Sequence, residues 1–183
     1  CSCISVNHMV VHGMPTNYKL KEGDIVSIDI GVNNGGYIVD TARSYLIGSA
    51  RQYPKEQAIL DATNQALTLA INEARVGKKT GDIGHAVEKY IKTCGFHVIK
   101  DLTGHGVGPT LQEPPSIPNF GHPDQGVALV EGMTLAIEPI TALDRVDLQL
   151  STDGWTILAV PMVKTAHFED TIFITNSGPI VLT

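Results

Sequence analysis

The chain has 183 residues, of which 43% are hydrophobic and 17% charged. This balance predicts one folded domain, residues 1–183, with a sizeable core. The net charge of −6 provides no basic surface for nucleic acid or anionic lipid, so neither is expected as a partner. Three cysteines without a CxxC pair, and no apolar run near the roughly 20 residues of a membrane span, favour the reducing cytoplasm.

The first strong structural signal is a β-hairpin. Residues 24–32 alternate apolar and other side chains, which predicts a strand whose even-numbered residues face the core. The next four residues read Asn-Asn-Gly-Gly, a favoured turn composition, and a second β-rich run covers residues 37–46. Two antiparallel strands joined by a tight turn are therefore expected here.

The register of this hairpin decides how two acids meet. With Asn34 and Gly35 as the central turn residues, Asp29 lies directly opposite Asp40. A turn centred on Gly35 and Gly36 makes the same two acids diagonal neighbours. Either register leaves two repelling carboxylates within reach of one shared cation.

Two amphipathic helices are predicted after the hairpin. The first opens at Pro54, carries apolar residues at helical spacing and stops at Gly77. The second starts from Thr80 as N-cap and ends at Gly95. Further β-rich runs cover residues 96–99, 133–140 and 167–175. This order of elements predicts an α+β class with a mostly antiparallel sheet.

Two more acids and one histidine complete a candidate ligand set. Glu138 and Glu169 lie in β-rich runs, on faces opposite their apolar neighbours. His105 stands between two glycines, which permit close backbone approach. Four carboxylates and one imidazole, without thiolates, suit a pair of divalent ions of the Mn, Fe, Co or Zn type. The chemistry implied is hydrolysis by a metal-activated water.

Other residues of chemical interest are interpreted as structural. A single acid in a strand is usually a solvated residue, so the set above rests on its members taken together. Core or surface positions are expected for Cys3, Cys94, His8, His85, His97, His122 and His167. Trp155 fits equally well as a buried core aromatic and as a pocket wall.

Seven strings in order resemble the type I methionine aminopeptidases, nearly end to end. They are Cys-Ile-Ser-Val-Asn before Val-His-Gly-Met-Pro, Gly-Asp-Ile-Val-Ser-Ile-Asp, Gly-Tyr-Ile-Val-Asp-Thr, Gly-His-Gly-Val-Gly, Gly-Met-Thr-Leu-Ala-Ile-Glu-Pro, Asp-Gly-Trp-Thr and Phe-Glu-Asp-Thr-Ile. The resemblance implies the pita-bread fold, a mostly antiparallel curved sheet with covering helices. The family's N-terminal helices precede the point that matches Cys1, so this chain is expected to lack them.

The resemblance also implies roles for individual residues. The family's ligands for two divalent ions match Asp29, Asp40, His105, Glu138 and Glu169. Glu138 matches a ligand that also shuttles a proton. His12 matches the histidine that contacts the scissile amide and assists the leaving amine. The apolar pocket for the first side chain of the substrate matches Cys3, Leu111 and Trp155.

One position departs from the family pattern. Gln112 stands where a second histidine is expected, directly before Glu113 and Pro114. Its amide can donate a hydrogen bond to a substrate carbonyl, but it does not titrate near neutral pH. Loss of a transition-state donor commonly costs about 2.7 to 4 kcal/mol. A slower enzyme is therefore expected.

These observations give one leading hypothesis and two alternatives. The first is a cytoplasmic metalloaminopeptidase that removes N-terminal methionine from peptides and nascent chains, with ribosome association as a further expectation. The second is a catalytically weakened pita-bread protein that binds peptide N-termini or a partner protein. The third is a prolidase or aminopeptidase P. The sequence predicts no oligomeric state.

Overall fold

A computed structural model describes residues 2–183, so Cys1 lies outside it. The two helices in this range are α1 (Pro54–Glu73) and α2 (Thr80–Thr93). The first seven strands are β1 (Ser2–Val6), β2 (Met9–Val11), β3 (Ile25–Asn34), β4 (Tyr37–Leu46), β5 (His97–Val98), β6 (Thr103–Gly106) and β7 (Glu113–Pro118). The remaining strands are β8 (Thr134–Ile137), β9 (Ile140–Ala142), β10 (Asp147–Leu150), β11 (Ile157–Val160), β12 (Thr165–His167), β13 (Glu169–Thr175) and β14 (Gly178–Val181).

The strands form one large sheet and two small ones. The large sheet has the order β1-β3-β4-β13-β8-β6-β7, and β14 pairs with β13. The small sheets have the orders β10-β11-β2 and β12-β9-β5. Every strand pair within residues 2–183 is antiparallel. The predicted α+β class with a mostly antiparallel sheet is confirmed.

The main core lies between the two helices and the large sheet. Because the apolar residues of the helices recur at helical spacing, they share one buried face. Ile59, Ala66 and Ala70 of α1 and Ile91 of α2 are all 0% exposed. They pack with strand residues such as Ile172 in one cluster. A smaller cluster joins β2, β9 and β11. Burial of these apolar surfaces is the main stabilising term that holds the helices on the sheet.

The helix ends agree with the predicted punctuation at Pro54 and Gly95, but α1 ends at Glu73, before the predicted stop at Gly77. Pro54 opens α1, where its missing N–H costs no hydrogen bond. The N-cap of α2 is Lys79 rather than Thr80, so the predicted cap was wrong by one residue. Asp82 accepts a hydrogen bond from the backbone N–H of Lys79 and closes the first turn. Gly95, with φ of 78°, follows the C-terminal end as expected.

The hairpin turn is centred on Gly35 and Gly36, the second of the two predicted registers. Both glycines have positive φ, 62° and 93°, as a two-residue type I′ turn requires. Glycine at both central positions adopts these angles without side-chain strain, which favours this register. Asp29 therefore lies opposite Ala42, and Asp40 is its diagonal neighbour.

The outer face of this hairpin differs from the prediction that even-numbered residues face the core. Val26 is buried, but Ile30 is 38% and Val32 is 44% exposed. The reason is that neither helix packs extensively against β3, so this face of the strand stays largely open within the described residues. Within residues 2–183, no helix is long and apolar enough to cross a membrane.

Candidate metal centre

The five candidate ligands come from adjacent strands of the large sheet. Taken along β3-β4-β13-β8-β6, the strands carry, in that order, Asp29, Asp40, Glu169, Glu138 and His105. Glu138 follows the last residue of β8 directly, and the others lie within their strands. One sheet face thus gathers residues that are up to 140 positions apart in the sequence.

The strand register leaves room above the sheet for the acids. Asp29 pairs with Ala42, and Ala42 pairs in turn with Glu169. In the next row Asp40 pairs with Gly31. Ala42 therefore separates Asp29 from Glu169, and Gly31 lies beside Asp40, so the longer carboxylates can converge above these small residues.

A second row is completed by Thr171 and His105. The Thr171 hydroxyl accepts a hydrogen bond from the backbone N–H of Asp40 and donates one to the Asp40 carbonyl oxygen, both at 2.8 Å. Thr171 pairs with Ala136, and Ala136 pairs with His105. These contacts fix Asp40 and His105 at the same level of the sheet, with small Ala136 beside the imidazole.

The glycines on either side of His105 are required by close backbone contacts. A Cβ at Gly104 would lie 2.3 Å from the Ala136 carbonyl oxygen, and one at Gly106 would lie 2.3 Å from that of Pro114. His105 Nδ1 lies 2.9 Å from the Gly106 carbonyl oxygen, which favours the tautomer with the proton on Nδ1. The Nε2 lone pair then faces the acids and is free for a metal.

The distances between ligand atoms fit a shared ion better than direct hydrogen bonds. His105 Nε2 lies 3.5 Å from Glu138 Oε1 and 3.8 Å from Asp40 Oδ2. One ligand atom each from Asp40, His105 and Glu169 can be chosen so that all lie within 4.8 Å of one another. Hydrogen bonds to carboxylates are about 2.7 to 2.9 Å long, so these groups leave a gap of ion size between them.

Within the described residues, no Lys or Arg side chain forms an ion pair with the four candidate carboxylates. Burial raises the pKa of Asp29 to about 6, with a further rise from Asp40 and Glu138 that the His167 imidazole opposes. Burial likewise raises the pKa of Glu169 well above its usual range, and the neighbouring acids add to this rise. Such shifts are expected where carboxylates are forced together without a cation.

Unpaired buried atoms give an independent test of the metal fit. Within the described part of the chain, Asp40 Oδ1 and Glu169 Oε1 are buried without a hydrogen-bond partner. An unsatisfied buried acceptor costs about 1 to 3 kcal/mol, and more when charged. Hard divalent ions take oxygen and imidazole ligands of this kind, so the residues present fit a metal site.

The cavity above the ligands also contains His12 and Gln112. It measures about 240 Å³ and includes all five candidate ligands. His12 stacks on Trp155 with ring centroids 5.1 Å apart, and burial lowers the pKa of its imidazole. Gln112 is exposed at the rim. Both positions predicted for polar contacts to substrate therefore border the candidate ligands.

The residues predicted for the apolar pocket lie beside this cavity and are partly open to solvent. Cys3 pairs with Asp29 across the sheet, and its side chain lies next to that of Trp155. Leu111 packs over Gly31, where an added Cβ would lie 3.2 Å from the leucine Cδ2. Trp155 is 54% exposed, which excludes the buried core aromatic, one of the two interpretations that the sequence left open.

Sequence reasoning missed one residue of the site. His167 was expected in the core or on the surface, and it is buried as a core residue would be, but it lines the cavity. The spacing His167-x-Glu169 was a usable signal, since residues two apart in a strand share a face. His8, His85, His97 and His122 lie outside this cavity, as expected.

Cavity size alone would have pointed elsewhere. A cavity of about 580 Å³ includes Glu88, Lys92, Lys100 and Phe96 in its lining. Its half-buried acid is already neutralised, because Glu88 pairs with Lys92 at 3.0 Å and Lys100 at 2.8 Å. Repelling acids without a counter-charge distinguish the smaller cavity as the site for chemistry.

The raised pKa of Asp29 predicts how the metal-free protein responds to pH. The folded-state pKa of about 6 exceeds the ordinary value of 3.8, so the folded state binds the extra proton between these values. Unfolding free energy should fall by about 2 to 3 kcal/mol as the pH rises through this window, because deprotonation is easier in the unfolded chain. Chemical denaturation in chelator, with Asp29→Asn as the comparison, measures it. A difference between the two proteins that does not change with pH would contradict the assignment.

Three comparisons with known proteins agree with this geometry. The model of metallopeptidase family M24 matches residues 1–176. Methionine aminopeptidase of Clostridium perfringens is 39% identical over 181 residues, which are 99% of this chain and 72% of that protein. Methionine aminopeptidase 1 of Bacillus subtilis is 41% identical with the same coverage.

Solved structures show the same architecture. The methionine aminopeptidase of Thermotoga maritima superposes with a TM-score of 0.94 at 42% identity, covering 100% of this chain and 73% of that one. The prolidase of Pyrococcus furiosus superposes with a TM-score of 0.76 at 25% identity, covering 100% of this chain and 48% of its own. The predicted pita-bread fold is confirmed.

Proposed function

Because the chain belongs to metallopeptidase family M24 and groups there with the methionine aminopeptidases, we propose that it removes N-terminal methionine from peptides and nascent chains. The observation that carries the proposal is the convergence of four carboxylates and one imidazole from five adjacent strands. A scaffold with this ligand set suits hydrolysis assisted by divalent metal. Because nascent chains are proposed substrates, the reaction is expected in the cytoplasm, where the protein would meet these chains at the ribosome.

Two divalent ions of the Mn, Fe, Co or Zn type are the proposed cofactors. The residues that would hold them are Asp29, Asp40, His105, Glu138 and Glu169. Their four carboxylates match the charge of two dications, which would offset the burial and the mutual repulsion that raise the pKa values of Asp29 and Glu169. When bound, the ions would supply a water of lowered pKa and polarise the scissile carbonyl.

Protein groups around the cavity supply the remaining steps. Glu138 reaches the cavity with a side chain that is 12% exposed, and it is the proposed carrier of a proton toward the leaving amine. His12 holds a largely neutral imidazole near neutral pH, because burial lowers its pKa, and so can contact the scissile amide. The Gln112 amide can donate a hydrogen bond to a substrate carbonyl.

The first side chain of the substrate would lie among Cys3, Leu111 and Trp155. These residues border the ligands and offer apolar surface for a methionine thioether. Each buried methylene contributes about 0.8 kcal/mol to binding, so an unbranched side chain gains from filling this space.

Release of methionine from a Met-Ala-Ser peptide tests the proposal. Purified protein loaded with Mn²⁺ is expected to release free methionine, and chelator should abolish the release. An Ala-Pro dipeptide should not be cleaved by the same sample. Turnover no higher in Mn²⁺ than in chelator would contradict the proposal, and cleavage of Ala-Pro alone would favour a prolidase.

Gln112 favours a second candidate function, a weakened enzyme that binds peptide N-termini or a partner. Gln112 is exposed at the cavity rim and cannot supply a titrating group. Gln112→His should then raise kcat/KM for Met-Ala-Ser about 100-fold, the amount that one transition-state donor commonly contributes. Steady-state kinetics measures this, and robust turnover that the substitution leaves unchanged would exclude the weakened enzyme.

A further inference from the structure

A buried imidazole without an assigned role lies beside the candidate ligands. His167 ends β12, and its side chain is 3% exposed. Its Nε2 has no hydrogen-bond partner among residues 2–183. Buried polar atoms in proteins are almost always paired, so a buried lone nitrogen indicates a partner of another kind.

The surroundings of this nitrogen resemble those of His105. His167 Nε2 lies 3.6 Å from Glu138 Oε2 and 3.8 Å from Glu169 Oε2. His105 Nε2 lies 3.5 Å from the other oxygen of Glu138 and 3.8 Å from Asp40 Oδ2. Glu138 therefore has one imidazole nitrogen beside each of its two oxygens.

These distances suit atoms that share an ion. A hydrogen bond between imidazole and carboxylate would be about 2.7 to 3.2 Å long. Two atoms bound to one ion, each at about 2.1 Å and at tetrahedral or wider angles, lie roughly 3.4 Å apart or slightly more. The contacts of His167 with Glu138 and Glu169 fall near the second spacing.

The backbone holds His167 in this position. The Ser44 hydroxyl donates to the His167 carbonyl oxygen at 2.8 Å and lies 2.9 Å from its backbone nitrogen. Ser44 in turn lies 2.6 Å from the hydroxyl of Ser27 on β3. His167 is thereby tied to the two strands that carry Asp29 and Asp40, as expected of a residue that orients or binds a metal.

We propose that His167 is a sixth protein ligand of the metal centre, binding through Nε2 together with Glu138 and Glu169. This inference rests on the metal site of the proposed function. A second imidazole adds a nitrogen donor without adding charge. It shifts the preference of the site toward Co²⁺ and Zn²⁺ and away from Mn²⁺, which prefers oxygen ligands.

Proton NMR of the Co²⁺-loaded protein counts the coordinated histidines directly. A bound imidazole in each of two positions gives two exchangeable, hyperfine-shifted N–H signals. His167→Gln should remove one signal and His105→Gln the other, while the exposed His122→Gln should leave both. A wild-type spectrum with one shifted signal that His167→Gln does not alter would overturn the proposal.

Metal affinity provides a second readout that does not depend on turnover. Calorimetry should show Co²⁺ binding weakened at least about 10-fold in His167→Gln, with a smaller loss for Mn²⁺. Equal Co²⁺ affinity in His167→Gln and His122→Gln would overturn the assignment. Two shifted signals without methionine release would support His167 as a ligand and contradict the proposed function. Methionine release with one shifted signal would support the proposed function and contradict His167 as a ligand.

Discussion

Asp40→Asn is expected to reduce methionine release from Met-Ala-Ser about 1,000-fold or more, or roughly 4 kcal/mol in transition-state stabilisation. The substitution keeps the size of the side chain but removes its charge from the group of candidate ligands. Asp40 Oδ1 is buried and unpaired within the described residues, so its natural partner is a cation rather than a protein donor. Bound metal per chain should fall in parallel with kcat/KM.

The matched control is Asp147→Asn, at an exposed position of β10 that lies outside the cavity. It makes the same chemical change and should alter neither metal content nor turnover. Wild-type activity in Asp40→Asn, with metal content unchanged, would show that the acids are not ligands. Equal losses in both variants would point to a general effect of charge.

His12→Asn is expected to lower kcat about 100-fold while metal content stays at the wild-type value. General acid–base or hydrogen-bonding assistance to a leaving group is typically worth about 10²- to 10⁴-fold. Asn is the suitable replacement because His12 has a positive φ of 59°, a conformation in which Asn is enriched. The experiment therefore removes the imidazole with little added backbone strain.

Two measurements separate catalysis from structure in this variant. Metal analysis should show that the ligands are intact, and thermal unfolding should show a folded protein. His122→Asn, at an exposed histidine outside the cavity, is the comparison. Unchanged kcat in His12→Asn would assign His12 to the pocket wall through its stack on Trp155, not to the reaction.

Local signals predicted the helices and the hairpin because each depends on nearby residues. Pro54 and Gly95 mark helix ends through their own backbone preferences. The two hairpin registers could not be separated by alternation alone, since both leave Asp29 near Asp40. The conformational freedom of two glycines decided between them, at Gly35 and Gly36.

The candidate ligands were predictable because their residue types carry the chemistry. Acids placed among apolar strand residues need a counter-charge wherever the strands finally lie. His167 was missed because its role depends on tertiary placement: it belongs to β12, in a different sheet from the Glu169 strand. Its backbone is fixed by Ser44, 123 positions away in sequence. The spacing from Glu169 indicates a shared face, but no local pattern predicts the contact with Ser44.

The most direct test is a titration of metal-free protein with Mn²⁺ that records bound ions per chain together with methionine release. Because the ligands are proposed to hold two ions, methionine release should rise as the site fills and level off near two bound ions per chain. Saturation of the site without any release of methionine, or release that persists in chelator, would contradict the account.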